Sequence, residues 1–143
     1  MFDIKELNNY FEQGLLQKQY HPYHPIIIWN YTAKVQYEQK WDDITINCRG
    51  LITDYEGKIV ARSFPKFFNI EQIDNNDIPN ENFEVYEKMD GSMILLFNYN
   101  NEWILASKGS FISEQALKAK ELVKKYNINI LDKNKSYVFE IIY

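Results

Sequence analysis

The chain has 143 residues, of which 45% are hydrophobic and 16% aromatic, enough to bury the core of one ordinary domain and too many for a disordered chain. Sixteen basic against 20 acidic residues leave a formal charge of −4, which argues against a broad basic coat for nucleic acid but leaves room for a local cationic pocket. No stretch approaches the ~20 apolar residues that cross a bilayer, the N-terminus lacks the apolar core of a signal peptide, and the single Cys48 allows neither an internal disulfide nor a zinc ribbon, so a cytoplasmic protein with no membrane partner is expected.

The first element reads as an amphipathic helix. Asp3 and Glu6 have capping-box spacing, and Ile4, Leu7, Phe11 and Leu15 recur on one face. It is expected to end near His21-Pro22-Tyr23-His24-Pro25, where two prolines forbid a helix. Ile26 to Trp29 reads as a buried strand, and Lys34 to Trp41 and Ile44 to Cys48 alternate well enough to continue the sheet. A hairpin follows: Gly50 to Asp54, the turn Tyr55-Glu56-Gly57-Lys58, then Ile59 to Ser63, with Gly57 free to take the positive φ of the turn. Asp74 to Asn82 is a polar loop. Phe83 to Lys88 and Ser92 to Tyr99 read as two strands separated only by Met89-Asp90-Gly91, and Asn100-Asn101 turns the chain into a strand over Trp103 to Ser107. Ser113 is a good N-cap for a helix whose face is Ala116, Ala119, Val123 and Tyr126, supported by Glu114/Lys118 and Glu121/Lys125 pairs. Tyr137 to Ile142 closes the chain as an apolar strand carrying one acid. The sum is a single α+β domain over residues 1–143, mostly antiparallel sheet with a helix at either side. An apolar strand with an embedded carboxylate, ending at Tyr143, is expected in the middle of a domain, so the chain is expected to be a fragment.

The most informative stretch is Glu84-Val85-Tyr86-Glu87-Lys88-Met89-Asp90-Gly91-Ser92. A lysine ends one expected strand, a glycine permits a tight turn and a second apolar strand leaves at once, which would hold the Lys88 amine at the mouth of a sheet. Taken alone, Asp-Gly is a common hairpin turn and Lys88 an ordinary surface lysine. Ser107-Lys108-Gly109-Ser110, read as opening the second helix, adds backbone amides, a lysine and a flexible glycine. That combination suits phosphate, and reads equally as a capping loop with a solvated lysine. Cys48-Arg49-Gly50 and Arg62-Ser63-Phe64-Pro65-Lys66-Phe67-Phe68-Asn69 set cations beside aromatics. An arginine grips phosphate in a bidentate fork and an aromatic ring carries a base by stacking. At least one of Phe67 and Phe68 is expected in the core, as are Trp29, Trp41 and Trp103. Glu87 is expected on the opposite face of its strand from Lys88, exposed to solvent. His21 and His24 lack the additional ligands of a metal site, and Cys48 reads as a small buried strand residue.

KMDGS, at Lys88 to Ser92, matches the Lys-x-Asp-Gly motif of the covalent nucleotidyltransferases, which comprise ATP-dependent ligases and mRNA capping enzymes. With NYTAKVQYEQKW and CRGLITD, then PKFFN, EKMDGS, SKGS and YVFEI in order from Asn30 to Tyr143, the chain resembles the RNA ligases of the T-even phage type. The resemblance implies a nucleotidyltransferase fold and an ATP-dependent joining of RNA ends, a 5′-phosphate and a 3′-hydroxyl, through a lysyl-AMP intermediate. It implies that Lys88 is the nucleophile, that Arg49 and Lys66 bind phosphates, and that Phe68 and Lys108 stand at the nucleotide. It also implies that Asp90 and Gly91 shape the nucleophile's turn, and that Glu140 contacts the ribose or helps hold Mg²⁺. A free lysine has a pKa of about 10.4, so a neutral amine near pH 7 costs roughly 4–5 kcal/mol. Arg49, Lys66 and Mg²⁺ would lower that cost by disfavouring another positive charge, and would stabilise charge building on the phosphate oxygens.

The family's domain continues beyond the Phe-Glu strand with another acidic, metal-binding motif and a last strand bearing two lysines around the triphosphate. No residue of this chain stands in for them, because Lys118/Lys120 and Lys133/Lys135 belong to a helix and a polar loop. The chain alone is therefore expected to adenylylate weakly or not at all. Three readings follow: a fragment of a longer ligase, half of a split ligase completed by a second polypeptide, or an inactive nucleotide- or RNA-binding remnant.

Overall fold

In a computed structural model describing residues 1–143, the N-terminal apolar stripe forms a helix, α1 (Ile4–Glu12), with Asp3 as its cap: the carboxylate accepts the Lys5 N–H at 2.8 Å. The helix is shorter than its apolar pattern predicts. Gly14 takes a φ of +73° and stops it, so Leu15 lies beyond the helix, and the residues before the prolines form a strand, β1 (Leu16–Tyr20). The histidine–proline segment then turns the chain into β2 (Ile26–Tyr31), buried along its whole length.

The two strands expected next are helices, α2 (Ala33–Glu38) and α3 (Asp43–Asn47). Asp42 decides the second: its carboxylate accepts the Ile44 and Thr45 N–H groups at 3.0 and 2.9 Å, while the Asp42 N–H donates to the Thr45 hydroxyl at 2.9 Å. That reciprocal cap outweighs a weak alternation. The expected hairpin is present as β3 (Arg49–Asp54) and β4 (Ile59–Ala61). From Phe64 to Gly91 the chain is irregular apart from two single 3₁₀ turns at Ile70–Gln72 and Asn75–Asp77. Phe83 to Lys88 is therefore not a strand. It has no neighbour to pair with, and Phe83, Val85 and Tyr86 are all more than three-quarters exposed.

β5 (Ser92–Tyr99) and β6 (Glu102–Ser107) form the second hairpin as expected, and Ser113 caps α4 (Glu114–Leu122) by accepting the Ala116 N–H at 3.2 Å. The ion pair on α4 joins Lys118 to Glu121 at 3.1 Å, and Tyr126 lies beyond the helix, exposed. β7 (Tyr137–Ile141) pairs with β5 and lies at the edge of its sheet.

The strands form two antiparallel sheets, ordered β1-β2-β3-β4 and β6-β5-β7. They face one another across Ile26, Ile28 and Ile52 from the first, and Leu95, Phe97 and Ala106 from the second, with Phe111 closing the cluster. The outer face of the first sheet packs Trp29, Leu16 and Leu51 against Leu7 of α1 and Val35 of α2. That of the second packs Ile94, Leu96 and Leu105 against Ala119 of α4. This is the expected α+β class, with antiparallel sheet between helices. Trp29 is fully buried, whereas Trp41 and Trp103 are half-buried. No helix is long and apolar enough to cross a membrane.

Candidate active site

Because every pairing is antiparallel, the starts of β1, β3 and β5 and the ends of β2, β6 and β7 come to one end of the sandwich. There a cleft of about 800 Å³ opens between the sheets. Arg49 at the start of β3, Lys88 just ahead of β5, Lys108 just past β6 and Glu140 near the end of β7 all line it, as does Gly91. Three cations against Glu87 and Glu140 make the cleft locally positive in a chain of net charge −4.

Local geometry explains how each group is held. The Arg49 guanidinium lies 5.5 Å from the centre of the Phe67 ring and donates a long bond, 3.4 Å, to the Phe64 carbonyl. Lys108 stands with its ammonium 5.0 Å from the centre of the Tyr31 ring. Its loop is folded back on β6, where the Ser107 N–H donates to the Ser110 carbonyl at 2.8 Å, and it precedes the cap of α4 instead of opening the helix. Gln19 of β1 fastens the loop's far end, accepting the Phe111 N–H at 2.7 Å and the Ser110 hydroxyl at 3.1 Å. At Gly109 a Cβ would stand 2.6 Å from Gln17 Nε2, the end of an exposed side chain that a larger residue would push aside. Lys88 is largely exposed and paired with Asp90 at 3.3 Å. Gly91 joins this segment to β7: its N–H donates to a Glu140 carboxylate oxygen at 3.0 Å, and a Cβ would lie 2.1 Å from the Ile141 carbonyl oxygen.

The remaining predicted residues are elsewhere. Lys66 and Phe68 point away from the cleft and form a cluster with Trp41, the Lys66 ammonium 5.1 Å from the Phe68 ring centre and 5.6 Å from that of Trp41. Phe64 and Phe67 line the cleft wall, whereas Lys66 and Phe68 lie against Trp41. Neither phenylalanine is in the core, since Phe67 is exposed and Phe68 half-buried. Asp90 is exposed and absent from the wall. Glu87, by contrast, lines the cleft beside Lys88, because the segment is not a strand and its neighbours do not alternate.

Gln17 and Asn30 also line the cleft, and the motif reading assigns neither a role. The signal was legible in Ile26-Ile27-Ile28-Trp29-Asn30-Tyr31, where one amide interrupts an otherwise apolar strand. Cys48 caps α3, fully buried, and burial pushes its thiol up to about 12, so it is not a thiolate at neutral pH. His24 and Tyr23 both meet Glu102, each at 2.5 Å, and hydrogen bonds from Tyr23 and His24 hold that carboxyl below its usual range. No three His, Cys, Asp or Glu side chains are gathered as a ready-made metal cage. The cleft's own hard donors are the carboxylates of Glu87 and Glu140, a set that suits Mg²⁺ when phosphate oxygens complete its shell.

Comparison with known proteins places the chain beside RNA ligases. The sequence profile of the family described as RNA ligase matches residues 47–141. A bifunctional polynucleotide kinase/RNA ligase of Autographa californica nuclear polyhedrosis virus is 35% identical over 103 residues, covering 64% of this chain and 14% of that protein. The matched stretch thus spans only a small part of the relative's length.

Proposed function

This chain belongs to the RNA ligase family, of the T-even phage type, and from that premise we propose that it serves the ATP-dependent joining of RNA ends, the chemistry of RNA repair. The observation that carries the reading is the meeting of Arg49, Lys88, Lys108 and Glu140 around one cleft, although 91 positions separate the first from the last.

Lys88 is the nucleophile. Its deprotonated amine attacks the α-phosphorus of ATP, a nitrogen–phosphorus bond forms, the bond to pyrophosphate breaks, and the amine's proton passes to solvent. Asp90 holds the amine before the attack. Arg49 and Lys108 take phosphate oxygens and stabilise the charge that grows on them, Arg49 through its planar fork. Phe67 braces the guanidinium. Glu140 and Glu87 are the residues that would hold Mg²⁺, which when bound supplies charge neutralisation at the phosphates. AMP then passes to an RNA 5′-phosphate, and a 3′-hydroxyl displaces it to close the strand. Lys66 and Phe68 bear on the site through the Phe64–Phe68 segment, whose other face supplies Phe67.

The test is incubation with ATP labelled at the α-phosphorus and Mg²⁺. A covalent AMP adduct is expected, formed weakly by this chain alone and abolished in Lys88→Ala. Nucleotide binding without any adduct in the wild type would instead mark a binding module.

A further inference from the structure

Lys108 has a long, flexible stem and takes part in none of the chain's ion pairs. What stands against its ammonium is the ring of Tyr31, a buried residue whose ring centre lies 5.0 Å away. Tyr31 is itself held from two sides. Its backbone N–H donates to the Cys48 carbonyl at 2.8 Å, which ties the end of β2 to the residue before Arg49. Trp41 meets its ring edge to face, with centres 4.9 Å apart and planes at 77°, and Phe68 meets Trp41 in the same way at 5.4 Å and 80°. The Lys66 ammonium closes the far end, over both Trp41 and Phe68. One row of aromatic rings therefore runs from the Lys66 cluster, outside the cleft, to the Lys108 ammonium on its wall.

We propose that Tyr31 is a positioning residue, which holds the Lys108 ammonium where it meets phosphate, and that Trp41, Phe68 and Lys66 act on the site by bracing Tyr31. A carboxylate in place of the ring would neutralise the lysine and compete with phosphate. The negative face of a neutral ring attracts the ammonium and leaves its N–H donors for phosphate oxygens. The row gives Lys66 and Phe68 a second route to the site, beside the segment they share with Phe67. The inference rests on the cleft being a phosphate site, but not on the covalent step.

The test uses the full chain and two readouts. In proton NMR of the free chain, the Lys108 ε-methylene resonance, assigned by its loss in Lys108→Ala, is expected upfield of the other lysines through the ring current of Tyr31. The shift should persist in Tyr31→Phe, vanish in Tyr31→Leu and diminish in Trp41→Leu and Phe68→Leu. In equilibrium binding with inorganic tripolyphosphate, Tyr31→Leu is expected to weaken the probe about fivefold, and Tyr31→Phe to match the wild type. In a Lys108→Ala background Tyr31→Leu should add nothing, a coupling that a general loss of packing would not produce. Equal weakening in both backgrounds overturns the inference, as does a loss in Tyr31→Phe as large as in Tyr31→Leu. An unshifted Lys108 resonance in the wild type also overturns it, and that reading needs no Tyr31 variant to fold. A shift untouched by Trp41→Leu and Phe68→Leu overturns the bracing. A wild type that does not bind tripolyphosphate overturns this role and the nucleotide reading together. A Lys88 adduct formed without the coupling overturns the positioning role alone, whereas coupling without an adduct leaves it standing while the ligase chemistry fails.

Discussion

Four donors converge on the carboxylate of Asp42: the Ile44 and Thr45 N–H groups, the Thr45 hydroxyl and the Tyr10 hydroxyl, the last at 2.8 Å. Partial burial works to raise its pKa, but the bonds from Thr45, Tyr10 and Ile44 outweigh it and hold the carboxyl below its ordinary value. The Tyr10 hydroxyl is correspondingly pushed up to about 12, chiefly by that bond to Asp42. A carboxyl lowered on folding contributes stability that is fully present above its unfolded pKa, ~3.9, and lost as pH falls through the folded value. Asp42→Ala is expected to lose about 1 kcal/mol at pH 7, as for other N-caps. In urea titrations the gap to wild type should narrow below about pH 4. A gap that stays constant down to pH 2.5 would mean the carboxylate is not the contributing form.

Individual elements show where pattern alone suffices. The hairpin of β3 and β4, the pair β5 and β6, and the cap at Ser113 each rest on residues within a few positions of one another, and each is found as read, while Asp3 caps α1 through the Lys5 N–H without Glu6 closing the expected capping box. Val35, Tyr37 and Trp41 alternate like a strand, yet Tyr37 is 85% exposed and only Val35 is buried on α2. So short an apolar run fits either period, and packing under the first sheet decided between them. Phe83 to Lys88 has strand composition but no neighbouring strand, and a strand without a ladder is not formed. At β7 the close contact of Gly91 with Ile141 is the element's weak point. Gly91→Ala should cost ~1–3 kcal/mol, the usual range for overpacking. Amide hydrogen exchange over residues 137–141 should accelerate while β2 and β3 stay protected. Unchanged exchange there would show that the strand shifts to make room without loss.

For the molecule as a whole, the two sheets share one core, so neither is a separate folding unit. Leu95, fully buried on the central strand β5, faces Ile28 and Ile52 across the sandwich. Leu95→Ala is expected to lose ~2–5 kcal/mol. Unfolding followed at Trp29, in the first sheet, and at Trp103, in the second, should stay coincident, as a two-state transition requires. Separated transitions would mean that the sheets are only loosely coupled. What the sequence by itself determined is the family and most of the elements, because caps, turns and motifs are local, and Lys88, Arg49, Lys108 and Glu140 lie in motifs readable one at a time. Which of the motif residues meet, that Phe67 takes the cleft wall while Lys66 and Phe68 turn to Trp41, and that Gln17 and Asn30 line the same space, only the tertiary structure decided. The reason is physical: a side chain's neighbours across a sandwich depend on sheet register and on where a glycine lets two backbones close, and neither quantity is carried by any short run of residues.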